Sequence, residues 1–348
     1  MGVGRDAPSR EPALPVSIRT IEMHTAGEPV RIIEGGYPVP RGATLLERRR
    51  DARQRLDHLR RMLMAEPRGH ADMYGALLVP PDHPDAHLAV LFMHNEGYST
   101  MCGHAVVALG RYAVDRGLVG AVEPETIVNV QCPCGLVRAR VEVQGGRAGR
   151  VRFESVPAFA FARGAVALTE RYGPVTLDVG YGGAFYAVLP AADLGLDVET
   201  SRLADLVDAA TEVKAAVSRA VPLSHPDDPD LAFLYGTILT DGADAWSEAP
   251  TTNVCVFADG QVDRSPTGSG VTARLALMHR RGLIAAGQTR LFRSVTGGLF
   301  EGRVLATTRA GPHPAVSVEV GGEAHYTGEA SFTVEASDPL AWGFLLRR

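Results

Sequence analysis

The sequence predicts an α+β protein built as two similar lobes, and three observations lead there. Short alternating apolar segments, punctuated by frequent Gly and Pro (38 and 23 residues), outnumber segments of helical period. The chain matches itself at three places in the same order, as an internal duplication would. Its 348 residues suit two domains at roughly 150 residues each, and 45% hydrophobic residues supply an ample core.

The strand-like segments run, in order, over 76–79, 87–92, 126–130, 136–143, 175–179 and 316–320. Helical period appears over about 44–65, 103–117, 199–219 and 268–282. Many strands with few helices fit α+β architecture better than a regular βαβ repeat. In the first helical stretch, Arg48, Arg49, Arg50, Arg53, Arg55, Arg60 and Arg61 alternate with Glu47, Asp51, Asp57 and Glu66. That pattern reads as a solvated face opposite a buried stripe of Leu56, Leu59 and Leu63.

The self-match starts with Cys102-Gly103-His104-Ala105-Val106-Val107-Ala108 on Thr267-Gly268-Ser269-Gly270-Val271-Thr272-Ala273. In the same register Arg116-Gly117-Leu118-Val119 falls on Arg281-Gly282-Leu283-Ile284. After a shift of two residues, Gly135-Leu136-Val137 with Arg140-Val141 falls on Gly298-Leu299-Phe300 with Arg303-Val304. Two unrelated helices with similar caps would give the first match but not easily all three. The lobes expected are 16–162 and 163–333, each with a strand, a tight Gly turn, a central helix and following strands. The segment 334–348 is expected to return to the first lobe, because Trp342, Phe344 and Leu345 would otherwise form an exposed apolar end.

Several function classes are excluded early. Thirty-five basic residues against 40 acidic ones give a net charge of −5, with no basic footprint for nucleic acid. Apolar runs such as Leu88 to Met93 are too short to span a bilayer. Residues 1–15 are polar and carry no secretory pattern. Four cysteines without even spacing do not read as a disulfide framework, so a cytoplasmic location is expected. Lys214 is the only lysine and sits in a charged, helix-like stretch, which argues against Schiff-base chemistry with pyridoxal phosphate. Cys132-Pro133-Cys134 resembles a short metal hook but has no second ligand pair, and Cys255 is isolated, so all three read as strand or turn cysteines. No nucleotide-binding or metalloprotease motif occurs, and neither a metal nor an organic cofactor is expected.

The chemistry concentrates at two turns, Ser99 to His104 and Asp263 to Gly270. Each opens a helix, expected over 105–116 and 271–281, whose first amides and dipole favour an anion. Small residues at Gly103, Gly268, Ser269 and Gly270 let a ligand approach that backbone. Two such ends facing each other would grip one small carboxylate from both sides. A helix start brings a thiol from about 8.5 to about 7 or below, so Cys102 is a candidate base or nucleophile. By position alone, Cys102 can equally be an inert buried thiol, His104 a core histidine and Asp263 a turn residue.

Together, Met101-Cys102-Gly103-His104 and Asp263-Arg264-Ser265-Pro266-Thr267-Gly268-Ser269-Gly270 resemble the paired motifs of the proline racemase family. Met23-His24-Thr25-Ala26-Gly27-Glu28-Pro29, Glu66-Pro67-Arg68-Gly69-His70 and Tyr181-Gly182-Gly183-Ala184-Phe185-Tyr186-Ala187 match too, so the resemblance covers about 18–345. It implies the diaminopimelate epimerase fold, a curved sheet around a central helix in each lobe with the site between them. It also implies a hydroxyproline-like substrate, and a homodimer is compatible with the family. Family racemases carry a cysteine at both turns, whereas here the second is Thr267. That departure resembles the trans-3-hydroxy-L-proline dehydratase subgroup. The resemblance further implies that Gly103, His104, Asp263, Gly268 and Ser269 contact substrate, Asp263 at its ring nitrogen and the turn amides at its carboxylate. A threonine hydroxyl cannot serve as a base near neutral pH, so a one-base dehydratase is favoured. A racemase or 2-epimerase is the alternative, and a non-catalytic amino-acid binder, which would not need the thiol, is third.

Overall fold

The structure is a computed structural model that describes residues 17–346. Residues 1–15, expected to carry no secretory pattern, residue 16 of the expected first lobe, and residues 347 and 348 lie outside the described residues.

The first half of the chain runs β1 (Ser17–Thr25), β2 (Glu28–Gly35), α1 (Leu45–Arg55), α2 (Asp57–Met64), β3 (Tyr74–Val79), β4 (Leu88–His94), β5 (Tyr98–Ser99), α3 (Gly103–Asp115), β6 (Glu125–Cys132), β7 (Gly135–Gln144) and β8 (Arg147–Glu154). The second half runs β9 (Ala158–Leu168), β10 (Pro174–Tyr181), β11 (Phe185–Pro190), α4 (Leu203–Ala220), β12 (Leu234–Thr240), β13 (Thr251–Phe257), β14 (Gln261–Asp263), α5 (Gly268–Arg280), β15 (Thr289–Arg293), β16 (Leu299–Ala310), β17 (His313–Gly322) and β18 (Ala324–Thr333). The expected strands all form with shifted ends: most are extended by two or more residues, while the one expected over 87–92 runs over Leu88–His94. The expected helix over 44–65 is interrupted at Leu56, whose non-helical backbone both ends α1 and begins α2.

Pairing repeats with an offset of nine strands. β1–β2, the parallel β2–β3, β3–β4 and the parallel β4–β6 correspond to β10–β11, the parallel β11–β12, β12–β13 and the parallel β13–β15. In the second half, β9 pairs with both β10 and β17, which closes an eight-stranded barrel through β11, β12, β13, β15 and β16. In the first half, β8 joins the end of β17, and β17 runs on into β18, which pairs with β1. One long stretch, 313–333, therefore belongs to both rings. The expected division after residue 162 falls inside β9, and β18 pairs with the first half. The strand run is interrupted at Glu323, between β17 and β18.

Each ring encloses one helix. α3 carries Ala105, Val106, Val107, Ala108 and Leu109 with no exposed surface, the all-round apolar pattern of an interior helix. α5 likewise buries Val271, Ala273, Leu275 and Met278. Both helices end alike, with Arg116 or Arg281 at the C-cap followed by Gly117 (φ 69°) or Gly282 (φ 73°). That left-handed backbone favours glycine and explains the second self-match. The C-terminal stretch lies on the first half: Phe344 bridges Glu66, and the Trp342 ring sits edge-on to His58 at 5.0 Å, while Leu345 is exposed.

The buried stripe Leu56, Leu59 and Leu63 forms as expected, but the arginines opposite are not all solvated. Arg60 is buried, donating to Asp57 at 2.6 Å and to the carbonyls of His94 and Asn95 at 2.7 and 2.5 Å. Its fork satisfies carbonyls left over where β4 ends, a demand that helical charge patterning does not reveal.

Candidate active site

The two helix starts touch. A Cβ placed on Gly103 would lie 2.5 Å from the Gly268 Cα, and one on Gly268 would lie 2.7 Å from the Gly103 Cα. Only glycine permits that approach. The segment 181–183 wedges against both starts: a Cβ on Gly182 would meet the Ser269 carbonyl at 2.2 Å, and one on Gly183 the Met101 side chain at 2.5 Å. Thr100 Oγ1 donates to the Gly183 carbonyl at 2.8 Å and pins this third loop.

Cys102 is the N-cap of α3, and its Sγ accepts the Ala105 N–H at 3.4 Å. The helix thus begins at Gly103, two residues before the expected start, because a thiol takes the capping role usual for Ser or Asp. Nδ1 of His104 lies 3.1 Å from the same sulfur. The His104 ring meets Tyr74 edge-on at 4.8 Å, and Thr25 Oγ1 donates to the His104 carbonyl at 2.8 Å, so this turn is held from two sides. Burial lowers the His104 imidazole to about 3, so it stays neutral.

Thr267 precedes α5 with φ 67° and ψ 91°, a left-handed backbone rare for a β-branched residue. Its amide donates to Ser265 Oγ at 3.1 Å, and its buried hydroxyl lies beside the Asp263 carboxyl and the Cys255 thiol, favouring the charged form of each against burial. Ser269 Oγ meets the Tyr186 hydroxyl at 2.7 Å, and Tyr74 meets Ser99 at 2.5 Å. Asp263, at the end of β14, accepts the Ser265 N–H at 2.8 Å. Cys102, Gly103, His104, Asp263, Thr267, Gly268 and Ser269 line one narrow cavity, walled by Tyr74, Tyr186, Tyr235 and Phe257. All seven residues singled out from the sequence are brought together.

The electrostatics differ from the sequence expectation. Burial pushes the Cys102 thiol well above its usual range, and the nearby carboxylates Asp263 and Glu28 add to the push. The helix-start amide at Ala105 works the other way but is outweighed, since desolvation opposes any charged form. Burial also raises Asp263 to about 6. Glu28 is fully buried and is pushed well up by burial and by Asp263. Its Oε2 accepts the Arg264 N–H at 2.7 Å, and Oε1 has no partner among the described residues.

Glu28 and Tyr186 lie within segments that carried the family resemblance, yet nothing in the sequence marked them individually. Tyr74, Tyr235 and Phe257 look like ordinary strand aromatics and gave no signal. Cys132, Cys134 and Cys255 are free and lie at the end of β6, in the following turn and in β13. No group of three or more metal-ligating side chains is found among the described residues. No described helix is long and apolar enough to cross a membrane.

The family model of proline racemase matches residues 20–345. The chain belongs to the proline racemase family. It is 59% identical over 332 residues to a Xenopus tropicalis protein named trans-L-3-hydroxyproline dehydratase, covering 95% of each chain. Identity is 56% over 345 residues to the trans-3-hydroxy-L-proline dehydratase of Homo sapiens, covering 98% of this chain and 97% of that one. Among solved structures, a hydroxyproline epimerase from Agrobacterium vitis with bound trans-4-hydroxy-L-proline superposes with a TM-score of 0.89 at 28% identity, over 95% of each chain. A barrel with few helices is thus shared with epimerising members of the family.

Proposed function

We propose that this chain is a trans-3-hydroxy-L-proline dehydratase working with one acid/base, and that its lobes share the diaminopimelate epimerase fold. The observation that carries the one-base reading is the asymmetry of the touching helix starts. A thiol with a capping amide and an imidazole stands at one, and at the other a threonine hydroxyl beside the Asp263 carboxyl, a side chain that cannot itself accept a proton near neutral pH. The high identity to relatives named as dehydratases supports the same reading.

Asp263 pairs with the ring ammonium, and the helix-start amides of Gly103, His104, Gly268 and Ser269 receive the carboxylate. The ammonium then neutralises the carboxylate that helps hold the thiol protonated, so substrate itself favours the Cys102 thiolate. The thiolate removes the α-proton, and the electron pair passes into the carboxylate as an enolate stabilised by the amides. In trans-3-hydroxy-L-proline the hydroxyl lies on the same ring face as the α-hydrogen. Cys102 therefore returns that proton to the departing hydroxyl, the C3–O bond breaks, and water leaves. The product is Δ2-pyrroline-2-carboxylate, which tautomerises to the Δ1 form. Neither a metal nor an organic cofactor takes part in this scheme. Four free cysteines suit a cytoplasmic location, and a homodimer is compatible with the family.

Proton NMR in D2O with trans-3-hydroxy-L-proline, L-proline and trans-4-hydroxy-L-proline tests this reading. Pyrroline-carboxylate from the first and unchanged spectra from the other two are expected. Inverted, deuterated L-proline or trans-4-hydroxy-L-proline would replace it with the isomerase alternative, and three unchanged spectra with the binder.

A further inference from the structure

A cleft of about 720 Å³ lies between α1 of the first half and α4 of the second, and it shares Tyr235 with the catalytic cavity. Arg49, Arg50 and Arg53 of α1 and Lys214 of α4 line it. Its two acids are Asp230 and Glu96. Asp230 is already engaged, holding Arg50 at 2.7 Å across the mouth.

The other cations lack such partners. Arg49 donates to the Tyr98 carbonyl at 2.7 Å, and its buried Nε–H has no acceptor among the described residues. Lys214 donates to the Ala258 carbonyl. No carboxylate lies within ion-pairing distance of Arg49, Arg53 or Lys214 among the described residues. Burial lowers the pKa of both Arg49 and Lys214, outweighing the opposing pull of Asp230 on the first and of Glu96 and Asp259 on the second. Partly desolvated cations held by carbonyls and, for Arg49, by the Phe233 ring at 5.6 Å, with no carboxylate in contact, are costly, and an anion placed between them relieves that cost.

We propose that this cleft is a second binding site, for a small molecule bearing two or more carboxylate or phosphate groups. The ligand would bridge Arg49 and Arg53 on α1 to Lys214 on α4. Occupancy would thereby tie the two halves together beside Tyr235, a wall of the catalytic cavity.

Because Lys214 is the only lysine, acylation of its side chain can be followed at one peptide by mass spectrometry, separately from the α-amine. The readout is independent of the reaction assigned to the catalytic cavity. The full-length protein would be labelled with acetic anhydride near neutral pH in the presence of pyrophosphate, citrate, or sodium chloride at matched ionic strength. At least fivefold slower labelling of Lys214 by pyrophosphate or citrate, relative to chloride, is expected, and the more effective anion identifies the favoured group. Arg49→Met should abolish the protection while leaving the lysine to report. An Arg50→Gln, Arg53→Gln double variant, changed at exposed positions, should weaken it and serves if the first does not fold. Labelling no slower in either anion than in chloride, or protection undiminished in the folded variants, would overturn the site.

Discussion

The starts of α3 and α5 occupy equivalent places in the two halves, touch through Gly103 and Gly268, and yet are built for different tasks. At α3 the residue before the helix is extended (φ −148°), its thiol caps an amide, and a neutral imidazole lies 3.1 Å from the sulfur. At α5 the equivalent residue is left-handed, its side chain caps no helix amide, and its hydroxyl is buried beside the Asp263 carboxyl. The first arrangement can hold and release a proton. The second presents a hydroxyl that cannot itself accept one near neutral pH. A duplicated fold can thus keep its two-sided grip on a substrate while confining proton transfer to one side.

The largest effect should come from removing the side that acts. Cys102→Ser replaces the proposed acid/base with a hydroxyl that does not ionise near neutral pH. Dehydration should fall roughly a thousandfold, while substrate binding measured by calorimetry is retained. Near-native turnover would take Cys102 out of the mechanism.

Asp263, at the end of β14, should show a smaller and pH-dependent effect. Asp263→Asn loses the proposed partner of the ring ammonium, so substrate affinity should drop by roughly ten- to a hundredfold. Stability should move the other way. The folded protein holds the Asp263 proton up to about pH 6, well above the ordinary 3.8 of an aspartate. The contribution of that raised pKa to stability is complete below about pH 4 and is lost as pH rises through 6. Asn escapes the loss, so the variant should melt above the native protein at neutral pH, by up to roughly 3 kcal/mol in stability. The two melting curves should converge near pH 4. Unchanged affinity would make Asp263 only a turn residue.

The smallest effect should come from giving the passive side a thiol. Thr267→Cys exchanges a methyl and a hydroxyl for one thiol at a buried position, so the turn should accept it. With L-proline or trans-4-hydroxy-L-proline, polarimetry and α-deuterium uptake should reveal slow inversion absent from the native protein. The rate should stay low, because transfer from the second face depends on fractions of an ångström. Inversion by the native protein as fast as by the variant would restore the isomerase reading.

The parts of this comparison legible in the sequence were those repeated or local. The self-match of 102–108 on 267–273 located both helices, and Gly117 with Gly282 marked both ends. What could not be read was set by distant parts of the chain. The pKa of Cys102 follows from burial under Tyr74 and Tyr235 and from Asp263 and Glu28, none of them neighbours in sequence. For the same reason, the arginines of α1 and α2 read as one solvated face, although Arg60 is buried under strand-end carbonyls and Arg49 turns into the basic cleft. Helical charge patterning records spacing along one element, not the carbonyls another element leaves unpaired. β18 escaped assignment to the first half because its partner, β1, lies at the opposite end of the chain.

The two diastereomers of 3-hydroxy-L-proline test the central claim most directly. In the trans isomer the α-hydrogen and the hydroxyl share a face, so a single thiol can take the proton and hand it to the leaving group. In the cis isomer they lie on opposite faces, and in the proposed binding mode the group opposite Cys102 is the Thr267 hydroxyl. Initial rates of pyrroline-carboxylate formation should be substantial for trans-3-hydroxy-L-proline and negligible for the cis isomer at saturating concentration. Comparable turnover of the two would contradict a one-base elimination by Cys102.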